Sequence, residues 1–175
     1  MANAYSSQII KDTTEHVVIK STASFDGTGQ ESNAVRIAAN TLYGALATNG
    51  YLVANNQGGS SNTTLSYYGL SVHRLWYDCA VTGDVQLYWN ASTPKTLMFL
   101  NGNGEYDGAG NWVTIPNNAA GTAGCNGDIG IVTRGMAAND SYTIIMELRK
   151  DNAHYQRGQF NDPAAFNYGS YGMKP

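Results

Sequence analysis

The chain predicts an all-β fold, an antiparallel β-sandwich of jelly-roll type with extended N- and C-terminal arms. Three observations predict it. Short runs of β-branched, aromatic and aliphatic residues recur with period-two alternation. Glycine and asparagine turn signals separate them at hairpin spacing. No strand alternates with a long helix, and no solenoid-length repeat is present. The expected organisation is an N-terminal arm over residues 1–15, a sandwich over 16–150 and an aromatic-rich C-terminal arm over 151–175.

Residues 1–15 are polar with weak periodicity and read as an arm holding a short strand at 8–11. The sheet begins at His16, with Val17, Ile19, Ser21, Ala23 and Phe25 on one face before the turn Asp26-Gly27-Thr28-Gly29. Residues 30–40 return with Val35, Ile37 and Ala39 facing in, followed by a helical turn over 41–46. From 47 to 64 the sequence is loop-like around a short Tyr51-Leu52-Val53 run. The central segment, LSVHRLWYDCAVTGDVQLYWN over 70–90, reads as two strands joined by a hairpin turn at Val81-Thr82-Gly83-Asp84. Its return run alternates cleanly, with Val85, Leu87 and Trp89 on one face. Its outgoing run does not: strict alternation puts Arg74 beside Leu70, Val72 and Trp76, and His73 beside Leu75, Tyr77 and Cys79. Neither face is wholly wet, which suits a central strand or one pressed on another subunit. Further strands follow at 95–100, 111–115, 128–133 and 141–150, giving eight to ten in all.

At 175 residues and 18.7 kDa the chain fits one domain with arms. Charged residues are 13%, against roughly 25% in ordinary soluble domains, and 18 asparagines, 20 glycines and 12 tyrosines carry the polarity instead. Such a surface suits lasting contact with another protein as well as a monomer solubilised by amides. The net charge of −3, with five lysines and five arginines scattered, excludes a nucleic-acid role. Apolar runs are far shorter than the ~20 residues that span a bilayer, so no membrane partner is expected. The start MANAYSSQII has neither the charge nor the apolar stretch of a signal peptide, so synthesis in the cytoplasm is expected. Cys79 and Cys125 are expected free and buried, Cys125 the more exposed in its loop.

Chemistry-bearing motifs are sparse. His16, His73 and His154 are widely spaced, no metal-ligand pattern appears, and neither metal nor cofactor is expected. The run Asn101-x-Asn103-x-Glu105-x-Asp107 offers alternating oxygens, but an EF-hand requires glycine and glutamate where Tyr106 and Trp112 stand, so it reads as a plain loop. No pair of carboxylates is singled out for glycosidase work, and no nucleophile elbow or phosphate loop occurs. The expectation is a protein that is not an enzyme.

The last 25 residues, DNAHYQRGQFNDPAAFNYGSYGMKP, hold Tyr155, Phe160, Phe166, Tyr168 and Tyr171 at irregular spacing. These five are the candidate partner-binding residues, with docking in cis as the competing reading. Together with stretches such as QESNAVRIAANTLYGAL, GLSVHRLWYDCAVTGDVQLYWN and SYTIIMELRKDNAHYQRGQF, the arms and strands resemble virion structural proteins of tailed bacteriophages, of the head decoration or cement type. That resemblance implies a virion protein that binds the major capsid protein from outside, commonly as a homotrimer, and reinforces the shell. No site residue transfers with it. Other virion locations (neck, tail or fibre) fit the same features. A carbohydrate-binding sandwich using Tyr51, Tyr67, Tyr68 and Trp112 is the alternative of a different kind.

Overall fold

The computed structural model describes residues 3–45, 52–53, 63–64, 68–108, 113–151 and 155. Its strands are β1 (Ala4–Asp12), β2 (His16–Asp26), β3 (Ala34–Ile37), β4 (Leu52–Val53), β5 (Thr63–Thr64), β6 (Leu70–Cys79), β7 (Asp84–Trp89), β8 (Lys95–Leu100), β9 (Asn103–Tyr106), β10 (Ile115–Pro116), β11 (Ile129–Arg134) and β12 (Ala138–Lys150). One 3-10 turn covers Ala39–Thr41, earlier and shorter than the helical turn expected at 41–46.

Two antiparallel sheets form an all-β sandwich. One runs β1-β2-β12-β6, with β9 and β10 sharing the far edge of β6. The other runs β3-β11-β7-β8. Strands β4 and β5 make a separate two-stranded ladder. Period-two alternation places Val17, Ile19 and Phe25 of β2 in the core, with Ile144, Met146 and Leu148 of β12. Val85, Leu87 and Trp89 of β7 and Ile129 and Ile131 of β11 complete it from the other sheet. Full burial of each large aliphatic side chain contributes about 1.5–3 kcal/mol, so this seam is the main source of stability.

The expected hairpin at 81–84 is not one. Strands β6 and β7 lie in different sheets, so the link crosses the sandwich. A tight connection between two strands that each have one apolar face permits either outcome, because both bury the same residues. Packing decides it. A Cβ on Gly83 would sit 2.5 Å from the Arg134 carbonyl oxygen, because the crossing from β11 to β12 lies directly against it. Asn101, at the crossing from β8 to β9, donates its side-chain amide to the Gly83 carbonyl at 2.6 Å. Three crossings are thereby stitched together at one end.

Other expectations need correcting. The strand expected at 111–115 is the short β10, while Asn103–Tyr106, expected as a turn and loop, pairs with β6 as β9. Val35 faces solvent at 43% exposure, because the register of β3 against β11 shifts between Ile129 and Gly130. Residues 4–12 are the outer strand of the first sheet, paired along their length with β2. Both thiols are free and buried as expected, and Cys125 is no more exposed than Cys79. Among the described residues no helix is long and apolar enough to cross a membrane.

Candidate functional site

Three clusters built on ion pairs stand out among the described residues, and the strand faces on which they lie decide what each can do. The first is Glu31, almost wholly buried. It pairs with the Arg36 guanidinium and accepts the Tyr142 hydroxyl at 2.7 Å. Its backbone N–H donates to Thr133 Oγ1 at 2.8 Å. Burial, with the Glu31 charge adding to it, pushes the Tyr142 phenol above its ordinary value. Every oxygen here is engaged, so the cluster locks β3 and β12 to the core.

The second surrounds Lys150, whose ammonium is fully buried and pairs with Asp12. It also donates to the Thr13 carbonyl at 2.8 Å and the Tyr43 carbonyl at 2.7 Å. Those acceptors use all three N–H donors. The Tyr155 ring lies 5.2 Å from Nζ, and desolvation holds the Lys150 pKa below its ordinary value.

The third lies on the outer face of the first sheet, and sequence spacing missed it. His16, Glu147 and His73 come from the adjacent strands β2, β12 and β6, and one donor atom from each lies within 4.8 Å of the others. His16 Nδ1 is 2.9 Å from Glu147 Oε1, and His73 Nδ1 is 3.5 Å from that same oxygen. The imidazoles meet edge to face at 5.3 Å between centroids. Arg74 Nε stands 3.9 Å from the other carboxylate oxygen.

Two local devices aim these groups. The turn before β2 is closed by Thr13, whose hydroxyl donates to the His16 carbonyl at 2.8 Å and accepts the His16 N–H at 3.1 Å. His73 sits at a β-bulge. Glu147 pairs with Arg74 and Leu148 with Val72, so His73 is the extra residue between them. The bulge turns His73 and Arg74 to the same face and returns Leu75 to the core. It also explains why β6 reads as wet on neither face under strict alternation. The signal available in sequence was that break in period, with Val72 and Leu75 both apolar across His73-Arg74.

The cluster opens into a cleft of about 510 Å³ lined also by Lys11, Thr14 and Glu15. Two imidazoles and a carboxylate can hold a divalent cation or share a proton. The cleft lined by Trp76, Asp78 and Glu105 brings no histidine or cysteine to its carboxylates.

Of the residues expected to bind a partner, Tyr155 is 1% exposed. Its hydroxyl donates to the Ala39 carbonyl at 2.9 Å, and its ring meets Tyr68 at 5.6 Å. It docks in cis: the hydroxyl joins the Leu42 N–H on the Ala39 carbonyl, and the ring packs into the core. Its surface is unavailable to another molecule. Phe160, Phe166, Tyr168 and Tyr171 lie outside the described residues, as does His154. Of the aromatics considered for sugar stacking, Tyr68 is buried, while Tyr51, Tyr67 and Trp112 lie outside the described residues.

No family model matches the chain, and neither a curated protein nor a solved structure is similar to it at a significant level.

Proposed function

We propose that the chain is a virion structural protein that attaches to the outside of a capsid, and that its sandwich is a jelly roll. Support for the jelly roll comes from strand order. Strands β2-β12-β6-β9 face β3-β11-β7-β8, and the chain changes sheet after β2, β3, β6, β8, β10 and β11, the step from β3 to β6 passing through the β4-β5 ladder. Such two-sheet, eight-strand rolls are common in viral capsid and lectin domains.

The observation that carries attachment is the chemistry of the strand edges. Outer strands usually carry charge, proline or bulges to prevent pairing with other chains. Here β1, β3 and β8 each carry one bulge, yet Ile9 and Ile10 on β1 are 48% and 54% exposed, and Phe99 on β8 is 57% exposed. With Val35 on β3, three outer strands therefore present large apolar side chains to solvent. A low-charge surface with apolar edges gains free energy by meeting a partner strand, which adds backbone hydrogen bonds and buries those side chains together.

Light scattering on the purified chain tests this. The expected result is a species of fixed size, a multiple of 18.7 kDa, across a hundredfold dilution. Replacing Ile9, Ile10 and Phe99 with lysine is expected to leave the sandwich folded, since all three side chains are exposed, and to abolish co-sedimentation with particles. A monomer whose lysine form still co-sediments overturns the proposal. Glycan binding by such a monomer would favour the lectin alternative.

A further inference from the structure

We propose that His16, His73 and Glu147 form a binding site for a borderline divalent transition cation of the Zn²⁺ class, open to solvent at the remaining coordination positions. The inference does not depend on attachment to a virion.

Geometry carries it. Tetrahedral Zn²⁺ with bonds of about 2.0–2.1 Å holds neighbouring donor atoms roughly 3.3 Å apart. The two histidine nitrogens stand 2.9 and 3.5 Å from one carboxylate oxygen, on either side of that spacing. The donors come from three consecutive strands of one sheet, so backbone hydrogen bonds hold their relative positions before any ion arrives. Donor chemistry selects the ion. Imidazole nitrogen suits Zn²⁺ and its neighbours, whereas Ca²⁺ and Mg²⁺ require oxygen shells that this cluster lacks.

A bulge marks the same place on the third strand. Pairing continued regularly from Leu148–Val72 would set His73 against Glu147 and turn Arg74 inward, whereas the extra residue sets both His73 and Arg74 beside Glu147. Bulges recur next to sites where a strand re-aims a side chain. Three protein ligands leave a position facing the cleft formed with Lys11, Thr14 and Glu15, filled by water when the ion is bound. Arg74 is a neighbour rather than a ligand, and its charge opposes the ion.

Isothermal titration of the full chain with ZnCl₂ tests the site, with circular dichroism confirming that each variant is folded. The expected result is one Zn²⁺ per chain and a higher Tm that EDTA reverses. His16→Gln and Glu147→Gln are each expected to weaken binding by about 10–100-fold or more, since loss of even an outer-shell partner costs that much. His16 is partly exposed, so its replacement keeps the test open if the Glu147 variant misfolds. Arg74→Ala, outside the donor set, is expected to bind as tightly as the native chain or more tightly. Replacing Cys79 and Cys125 with alanine is expected to change nothing. Absence of saturable one-to-one binding overturns the proposal, as does a His16→Gln chain that binds like the native one.

Discussion

Lys150 and Glu147 lie three residues apart on β12 and therefore on opposite faces of the same sheet, and their surroundings could hardly differ more. Lys150 points inward, where Asp12, two carbonyls and an aromatic ring use every donor it has. Glu147 points outward, where two imidazoles and a guanidinium lie at 2.9, 3.5 and 3.9 Å beside a cleft. A saturated, enclosed charge is a structural bolt. A charge that keeps lone pairs within reach of solvent and next to other donors can take a ligand. The comparison teaches that an ionisable group's role here follows from its acceptors and its face, since strand and residue class are shared or similar.

The largest effect should come from breaking the inward cluster. Lys150→Met leaves the Asp12 carboxylate and the Thr13 and Tyr43 carbonyls without their donor. Removing one partner of a buried pair costs about 3–5 kcal/mol. Urea unfolding is expected to show that loss with an unchanged m-value, and a loss below about 1 kcal/mol would mean that the ammonium is not a bolt.

Raising the pH sharpens the comparison, because the inward groups are shifted by burial. The Cys79 thiol is pushed up to about 12 by desolvation and then by Asp78, from an ordinary 9.0. Between those values the unfolded chain gives up its proton first, so stability falls as pH rises. Burial likewise raises Tyr142 and Tyr155 above 10.0, which adds to the fall at higher pH. Lys150 works the other way. Desolvation lowers it below 10.5, so the unfolded chain holds the extra proton in that window and stability rises through it. Tyr88 is raised by burial as well, so four groups oppose one, and a net decline above pH 9 is expected. Cys79→Ala should flatten the decline between pH 9 and 10, and a denaturant series at stepped pH checks it.

The smallest stability effect is expected from the outward cluster. Glu147→Gln keeps the side-chain shape and removes a charge that is itself partly exposed, as are its partners His16 and Arg74, at a cost of about 1 kcal/mol or less. Equal losses at Glu147 and Lys150 would erase the distinction between site and bolt.

Much of this molecule was legible in its residue order. Period-two alternation identified β2, β7 and the body of β12, because the choice between core and solvent is made locally at every second side chain, while β8 and β11 were expected as short strands between turn signals. The all-β class followed from the same pattern. Tertiary structure alone decided which strands share a sheet, since a tight link such as Val81–Asp84 permits a hairpin and a crossing equally until Gly83 meets the backbone of the next crossing. It alone placed Tyr155 inside, its hydroxyl on the Ala39 carbonyl and its ring against Tyr68. It alone joined His16, His73 and Glu147, because their meeting depends on the register of three strands and on one extra residue in β6. Alternation is a property of neighbours along the chain, whereas register is a property of partners across it.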